Sequence, residues 1–425
     1  MQSFQPRRVV VTGVGVISSL ATNARDTWSK VLAGETGIRT ASNLDPAKHK
    51  CTLRADVVDE DIPQRFLQGK ELRNASRYTR MAIEAAGEAM IDAGLLDENL
   101  QPVVDMSAAG VAAGTCVGGT YDDVLPVHQN YVERDGSPRV PPHLHVMFPH
   151  NIGGYAIQKQ FGMMGPSSTV VTACATGSQA IGDGFNAIKW GKAPVMIAGA
   201  MESTQHPLFE LGFEAMRALC TDSNDNPDYA SRPFNADRAG FILGEGAGFL
   251  VLEELDHAVE RGARIYCEIA GFATSNDAYH PIAPLPDGAG AAKAITDALA
   301  DAGLTAEDID HVNAHAASTP AGDLAEANAI KLALGDRAAT IPVTSVKGAF
   351  GHGMAASGAL ETATAVFTMH EQIVPPTRNQ TLPDPEIDLN IVTTATPGSI
   401  RAMTKHSFGL GGQNAVLVLK RWDGA

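Results

Sequence analysis

Short β-branched runs alternate along the chain with stretches whose apolar residues recur at helical spacing, the pattern of strands interleaved with helices. Residues 8–16, RVVVTGVGV, predict a buried strand and a tight glycine turn. A related pattern returns as EIAGFATS near residue 268, after the apolar run FLVLEEL at 249–255 and the charged helical segment LDHAVERGAR. A second half therefore begins near residue 256, which divides the chain into 1–255 and 256–425.

The halves resemble each other further along. STVVTACATGSQAIGDGFNAI in the first and IPVTSVKGAFGHGMAASGALETATAVF in the second each read as strand, small-residue turn and helix. Each half closes on an apolar strand after a glycine-rich turn, GAGFLVLEEL and QNAVLVLKRW. Such alternation predicts two pseudo-symmetric α/β halves with parallel-rich sheets covered by helices. Residues 118–165, rich in Gly, Pro and aromatics, read as an excursion that caps a pocket or forms a subunit contact.

Composition narrows the class. With 44% hydrophobic and 19% charged residues over 425 positions, the chain matches ordinary globular usage and leaves room for a sizeable core. A net charge of −16 argues against general nucleic-acid binding. The N-terminus has no apolar h-region, and no stretch approaches the roughly 18 uninterrupted apolar residues of a membrane span, so a cytoplasmic protein is expected. Cys51, Cys116, Cys174, Cys220 and Cys267 are odd in number and widely spaced, which argues against a disulfide framework or a metal site. GVGVIS lacks the full GxGxxG spacing and no GK[ST] follows a glycine loop, so a nucleotide site is not expected. One local basic feature stands out: Arg73, Arg77 and Arg80 at i, i+4 and i+7 would share a helical face, either solvated or open to an acidic partner.

Candidate chemistry centres on three positions. Cys174 follows an apolar strand and precedes a helix marked by Ile181, Phe185 and Ile188, so it sits at a helix N-terminus that favours thiolate. The competing role, a small buried apolar residue, is the usual fate of an intracellular cysteine. His315 ends a short strand in HVNAHAAS, and Lys347 and His352 occupy the matching turn of the other duplicate motif. Strand ends of α/β sheets gather ligands, so Cys174, His315 and His352 are expected to converge on one cavity.

RRVVVTGVG, TACATG, RPFNADRAGFILGEGAG, VNAHAASTPAGDLAE, KGAFGHGMAASGALE and HSFGLGGQN occur in an order that resembles the elongating β-ketoacyl-acyl carrier protein synthases of the thiolase-like superfamily. The resemblance spans nearly the whole chain. It implies duplicated βαβαβαββ halves in a five-layered αβαβα sandwich, and a Cys174, His315, His352 triad. Cys174 would take an acyl group from a carrier protein, with the N–H groups of Cys174 and Phe408 as oxyanion hole. The histidines would assist decarboxylation of malonyl-carrier protein, and no cofactor is implied. Lys347 and Glu326 would form a charged pair around His315, or a plain stabilising one. Phe408 would gate the cavity, and Phe241 would wall the malonyl site or simply pack the core.

The chain departs from the family where the carrier's pantetheine arm would bind. It reads His315-Ala316-Ala317-Ser318-Thr319, keeping Thr319 but with Ala317 where the family has a second threonine. Ile282 stands where another threonine is usual, and Leu410 replaces a common phenylalanine. These changes fit a specialised synthase, the ketosynthase subunit of a type II polyketide or polyene pathway, acting as a heterodimer with a chain-length-factor-like subunit; the housekeeping reading implies a homodimer. Arg73, Arg77, Arg134, Arg139 and Arg217 are candidates for contact with the acidic carrier protein. A coenzyme A-dependent thiolase would need a second catalytic cysteine, and none follows Cys267. A non-catalytic scaffold would not need the retained triad.

Overall fold

The computed structural model describes residues 5–134, 136 and 140–424. Among these, one hydrogen-bonded sheet joins eleven strands. In chain order they are β1 (Val9–Ile17), β2 (Gly110–Gly114), β3 (Ser167–Val170), β4 (Val195–Glu202), β5 (Gly246–Glu254) and β6 (Cys267–Asn276). There follow β7 (His311–Asn313), β8 (Pro342–Thr344), β9 (Asn390–Ile391), β10 (Ala402–Gly409) and β11 (Gln413–Lys420). Their spatial order is β9-β8-β7-β10-β11-β6-β1-β5-β4-β2-β3.

The duplication is explicit in this order. From β1 outward the strands run β1-β5-β4-β2-β3, and from β6 outward β6-β11-β10-β7-β8. The pairing sense also repeats: antiparallel for the first two steps and parallel for the last two in each half. The halves join where β1 meets β6 antiparallel, with Val10 opposite Glu268.

Six longer helices build the remaining layers: α1 (Arg77–Asp92), α2 (Ile152–Phe161), α3 (Thr176–Lys189), α4 (Ala289–Asp301), α5 (Pro320–Leu334) and α6 (Ala355–Glu371). Strand side chains alternate between faces, and this period of two feeds both sides of each sheet half. Val251 packs outward with Met81 of α1 and Ile157 of α2, whereas Leu250 and Leu252 face inward with Phe185 of α3 and Phe367 of α6. In the other half Val416 and Val418 pack outward on Ile295 and Ile330, while Leu417 and Leu419 turn inward to the same central helices. The result is the expected five-layered αβαβα sandwich.

The central helices touch almost backbone to backbone. A Cβ on Gly177 of α3 would lie 2.5 Å from Ala359 N and 2.7 Å from Ala355 O of α6. Only a residue without a side chain permits that approach, and it fixes the two helix beginnings side by side.

The basic helical face is not formed. A short helix, Gly69–Asn74, ends at Ala75, and α1 starts afresh after Ser76. Arg73 is exposed, whereas Arg77 is buried and donates to Glu245 Oε1 at 2.6 Å and to Val57 O at 2.6 Å. Arg77 is therefore a structural ion-pair residue, not a carrier-facing one. Among the described residues no helix is long and apolar enough to cross a membrane.

Residues 118–165 are less irregular than their composition suggests, containing a π-helical turn at Thr120–Val124, a helix at Leu125–Glu133 and α2. The Tyr78 hydroxyl anchors the segment through Met147 O and Pro149 O at 2.9 and 3.0 Å. The segment runs beside the edge strand β3, and its described residues supply none of the lining of the cavity described below.

Candidate active site

Three turns carry the reactive side chains, and each holds a non-glycine residue in the left-handed region. Ala173 (φ 49°) precedes Cys174, Ser318 (φ 70°) follows His315, and Met354 (φ 50°) follows His352. Such conformations cost on the order of 1–3 kcal/mol each and persist only where the surroundings enforce them. Here the packed starts of α3 and α6 enforce two of them.

Cys174 Sγ lies 3.1 Å from His352 Nε2. The other ring nitrogen of His352 is 2.9 Å from the Ser357 hydroxyl, which can donate or accept and so supports either tautomer. The His315 and His352 rings stand edge to face with centroids 5.4 Å apart, and Phe241 packs edge-on against His352 at 5.1 Å. Lys347 Nζ donates to His315 O and lies 3.3 Å from its Nδ1. An ammonium can only donate, so Nδ1 accepts and the His315 proton resides on Nε2, facing the cavity.

Burial sets the charge states. It holds His315 and His352 well below the usual imidazole range, with the Lys347 and Lys405 ammonium groups adding to the drop. Both rings are neutral at neutral pH. Burial also pushes the Cys174 thiol up to about 11, although the Lys347 ammonium and the backbone N–H groups of Leu410 and Cys174 pull the other way. The helix end alone therefore does not yield a resting thiolate, contrary to the expectation from its position.

Two sequence expectations need correction. Lys347 does not pair with Glu326. Its Nζ lies 2.5 Å from Glu361 Oε1, while Lys405 Nζ binds Glu361 Oε2 at 2.6 Å and Ser407 Oγ at 2.8 Å. Two buried ammonium groups thus share one buried carboxylate. Glu326 instead accepts from the His315 and Ala316 amides at 2.8 and 2.6 Å and meets His406 at 3.1 Å. It fixes the His315 turn through its main chain. Burial opposes its charge, but His406 and these amides hold it below the usual carboxylate range.

The second correction concerns the oxyanion donors. Phe408 still lies in β10, paired with Asn414 of β11, whereas Leu410 sits beyond the strand end. The amide acting on the sulfur alongside that of Cys174 belongs to Leu410. The Phe408 ring lines the cavity, 6.2 Å from His315.

A cavity of about 380 Å³ leads from the surface to Cys174, His315 and His352. Ala317, Thr319, Ile282 and Leu410 all line it, with Ile282 48% exposed at the outer end. Arg217, exposed and left-handed at φ 56°, also lines the cavity. Arg73 and Arg134 are exposed but do not, and Arg139 lies outside the described residues. Sequence reasoning missed Glu361, Lys405 and Ser357. The first two are polar residues inside apolar elements, a pattern that signals a buried charge pair.

The family models for the β-ketoacyl synthase N-terminal and C-terminal domains match residues 6–258 and 266–381. Over its full length the chain is 41% identical to a 3-oxoacyl-[acyl-carrier-protein] synthase 2 of Synechocystis, covering all of both chains. It is 39% identical, over 97% of its length and 98% of the relative, to a putative polyketide beta-ketoacyl synthase 1 of Streptomyces halstedii. Among solved structures, the ishigamide ketosynthase/chain length factor is similar with a TM-score of 0.89 and 32% identity, over 98% of this chain and all of that one. A type II polyketide synthase acyl-carrier protein in complex with its ketosynthase, bound to the hexaketide, matches with a TM-score of 0.87 and 32% identity, over 99% of this chain and all of that one. With models spanning both halves, relatives matched end to end and the sandwich in common, the chain belongs to the β-ketoacyl synthase family.

Proposed function

We propose that this chain is a β-ketoacyl-[acyl carrier protein] synthase in which Cys174, His315 and His352 perform a decarboxylative condensation. The observation that carries the reading is the 3.1 Å approach of Cys174 Sγ to His352 Nε2 at the inner end of a cavity shared with His315. In the first step the thiol proton passes to His352 and the sulfur attacks the carrier thioester. The departing carrier thiolate takes that proton, leaving acyl-Cys174 and neutral His352. Once the sulfur is acylated, exchange with water moves the His352 proton from Nδ1 to Nε2, and the Ser357 hydroxyl changes from accepting to donating at Nδ1. In the second step malonyl-carrier protein loses carbon dioxide, and its electron pair passes into an enolate whose oxygen accepts from Nε2–H of His315 and of His352. The enolate carbon attacks the acyl carbonyl, the N–H groups of Cys174 and Leu410 hold the oxyanion, and the sulfur departs to regain a proton from water. Each preorganised donor supplies roughly 3 kcal/mol in such sites.

In this reading residues 1–255 supply the nucleophile and 256–425 the two histidines. Glu326, Lys347 and Glu361 position His315, and Phe241 and Phe408 wall the reacting groups. Thr319 remains to bond the pantetheine arm where Ala317 and Ile282 cannot. Arg217 is the basic side chain best set to meet an acidic carrier protein. A cytoplasmic setting fits five free cysteines.

A dimer is part of the proposal, because among the described residues β3 ends the sheet with an unpaired edge. Pairing with a second copy suits the housekeeping reading. The similarity to an ishigamide ketosynthase/chain length factor favours a second reading, in which a chain-length-factor-like subunit takes that place. Incubation with acyl- and malonyl-carrier proteins tests the reaction: peptide mass spectrometry should find the acyl group on Cys174 and a β-keto product two carbons longer. An unmodified Cys174 with every donor, alone and with candidate partner subunits, would overturn it.

A further inference from the structure

One buried carboxylate stands between the two turns that present Cys174 and His352. Glu202 ends β4 and has no exposed surface. Its Oε2 accepts from Cys116 N at 2.8 Å and from Ala355 N at 3.4 Å, and its Oε1 from Thr115 Oγ1 at 2.7 Å and Val117 N at 3.3 Å. Cys116 follows β2 in the first half of the chain, whereas Ala355 opens α6 in the second. Burial raises this carboxyl above its ordinary range, and the Thr115 hydroxyl and the amides of Cys116 and Val117 pull it back. Oε2 accepts from both amides in either protonation state, because a hydroxyl facing Oε1 can donate or accept.

Each side of this bridge leads to one end of the Cys174–His352 contact. On the first side the Cys116 thiol donates to Ala173 O at 3.2 Å, and Ala173 is the left-handed residue immediately before Cys174. On the second side Ala355 opens α6, whose N-cap residue Met354 supplies no side-chain cap. The first amides of a helix lack partners within it, and a carboxylate is favoured beside them. Two residues further along, Ser357 Oγ lies 2.9 Å from His352 Nδ1. The first turn of α6 thus orients the His352 ring, and Glu202 holds that turn. The acidity of the sulfur is governed by other groups: burial, Lys347, and the N–H groups of Leu410 and Cys174. Glu202 therefore bears on the geometry of proton transfer and not on the thiol itself.

We infer that Glu202 is a positioning residue for acyl transfer: by tying the Cys116 turn to the start of α6, it fixes the separation of Cys174 Sγ and His352 Nε2. The inference rests on the condensing reading above. The test compares two reactions of the same sulfur in the full-length protein. One is acylation by acetyl- and octanoyl-carrier proteins, followed by intact-mass spectrometry; the other is alkylation by iodoacetamide at the same pH, which draws on thiolate and not on His352. Glu202→Asp withdraws the carboxylate by one methylene, and a displacement of about 1 Å in an active site costs up to roughly a hundredfold. Acylation should therefore fall by about tenfold or more, while alkylation changes by less than about twofold. Glu202→Gln keeps the length and a carbonyl oxygen for both amides, so its acylation should stay within roughly threefold of the unaltered protein. Thr115→Val frees Oε1 and is run beside them in case Glu202→Asp does not fold; it should show the same split on a smaller scale, with folding checked by thermal melting. Parallel losses in both reactions, unchanged acylation in either folded variant, or Glu202→Gln as impaired as Glu202→Asp would each overturn the inference and leave the reaction standing. An unaltered protein that takes no acyl group from either donor would instead count against the condensing reading.

Discussion

At the Cys174 sulfur, burial and the helix end act in opposite directions, and burial wins: the thiol sits at about 11. A resting thiol beside a neutral His352 is therefore the ground state, and reactivity depends on proton transfer across the 3.1 Å contact when a thioester arrives. This makes a plain prediction for a reagent that cannot use the site's hydrogen bonds. Below the thiol pKa the thiolate fraction rises about tenfold per pH unit, so iodoacetamide should label Cys174 faster by roughly that factor per unit through the neutral and mildly alkaline range. Peptide mass spectrometry over a pH series measures it. A rate already flat at neutral pH would mean a thiolate in the resting protein. Cys174, His315 and His352 were all legible in the sequence because each follows a strand end at a small-residue turn. The state of the sulfur was not, since desolvation depends on residues such as Phe213 and Met354 that pack around it from elsewhere in the chain.

Between elements, the charged link from β10 through α6 to the His315 turn is the part that sequence reading assigned wrongly. Glu361 lies on α6 amid residues buried on every side, so its periodicity marks only a core helix, and its partners Lys347 and Lys405 are fixed by the sandwich. Arg77 was misread for the same reason: Glu245, which buries it, lies 168 positions away. By contrast α3 was legible through Ile181, Phe185 and Ile188, because one helix face against a sheet suffices to define it. The shared carboxylate has an asymmetric consequence. Glu361→Gln leaves two buried ammonium groups unpaired and should cost about 3–5 kcal/mol in urea unfolding, whereas Lys405→Met leaves one matched pair and should cost far less. Equal losses would show that Lys405 is structurally indispensable. Lys405 also helps hold His315 and His352 neutral, so its removal raises their pKa values. Protonation then sets in at higher pH, and the acid limb of malonyl decarboxylation in Lys405→Met should move upward relative to the unaltered protein.

For the whole molecule, the repeated strand order explains why one half brings the nucleophile and the other the histidines: each half ends its central strands at the same level, and the starts of α3 and α6 face each other there. The same topology leaves an asymmetry at the two sheet ends. At one end β3 offers an edge unpaired among the described residues, and around it Tyr155, Met164 and Val171 are 54%, 79% and 51% exposed. An apolar strip flanking an open edge is a ready template for another chain. The neighbouring segment 118–165 carries further exposed apolar side chains, Tyr131, Val132 and Val146, at 48%, 61% and 55%. Light scattering on the purified chain should therefore give twice the monomer mass. Val171→Asp combined with Met164→Asp, which puts like charges from two copies beside the edge, should shift it towards the monomer. A chain that is already monomeric on its own, yet doubles its mass when co-expressed with a ketosynthase-like partner, would assign the edge to a heterodimer, and a monomer under both conditions would remove the edge from the account of function.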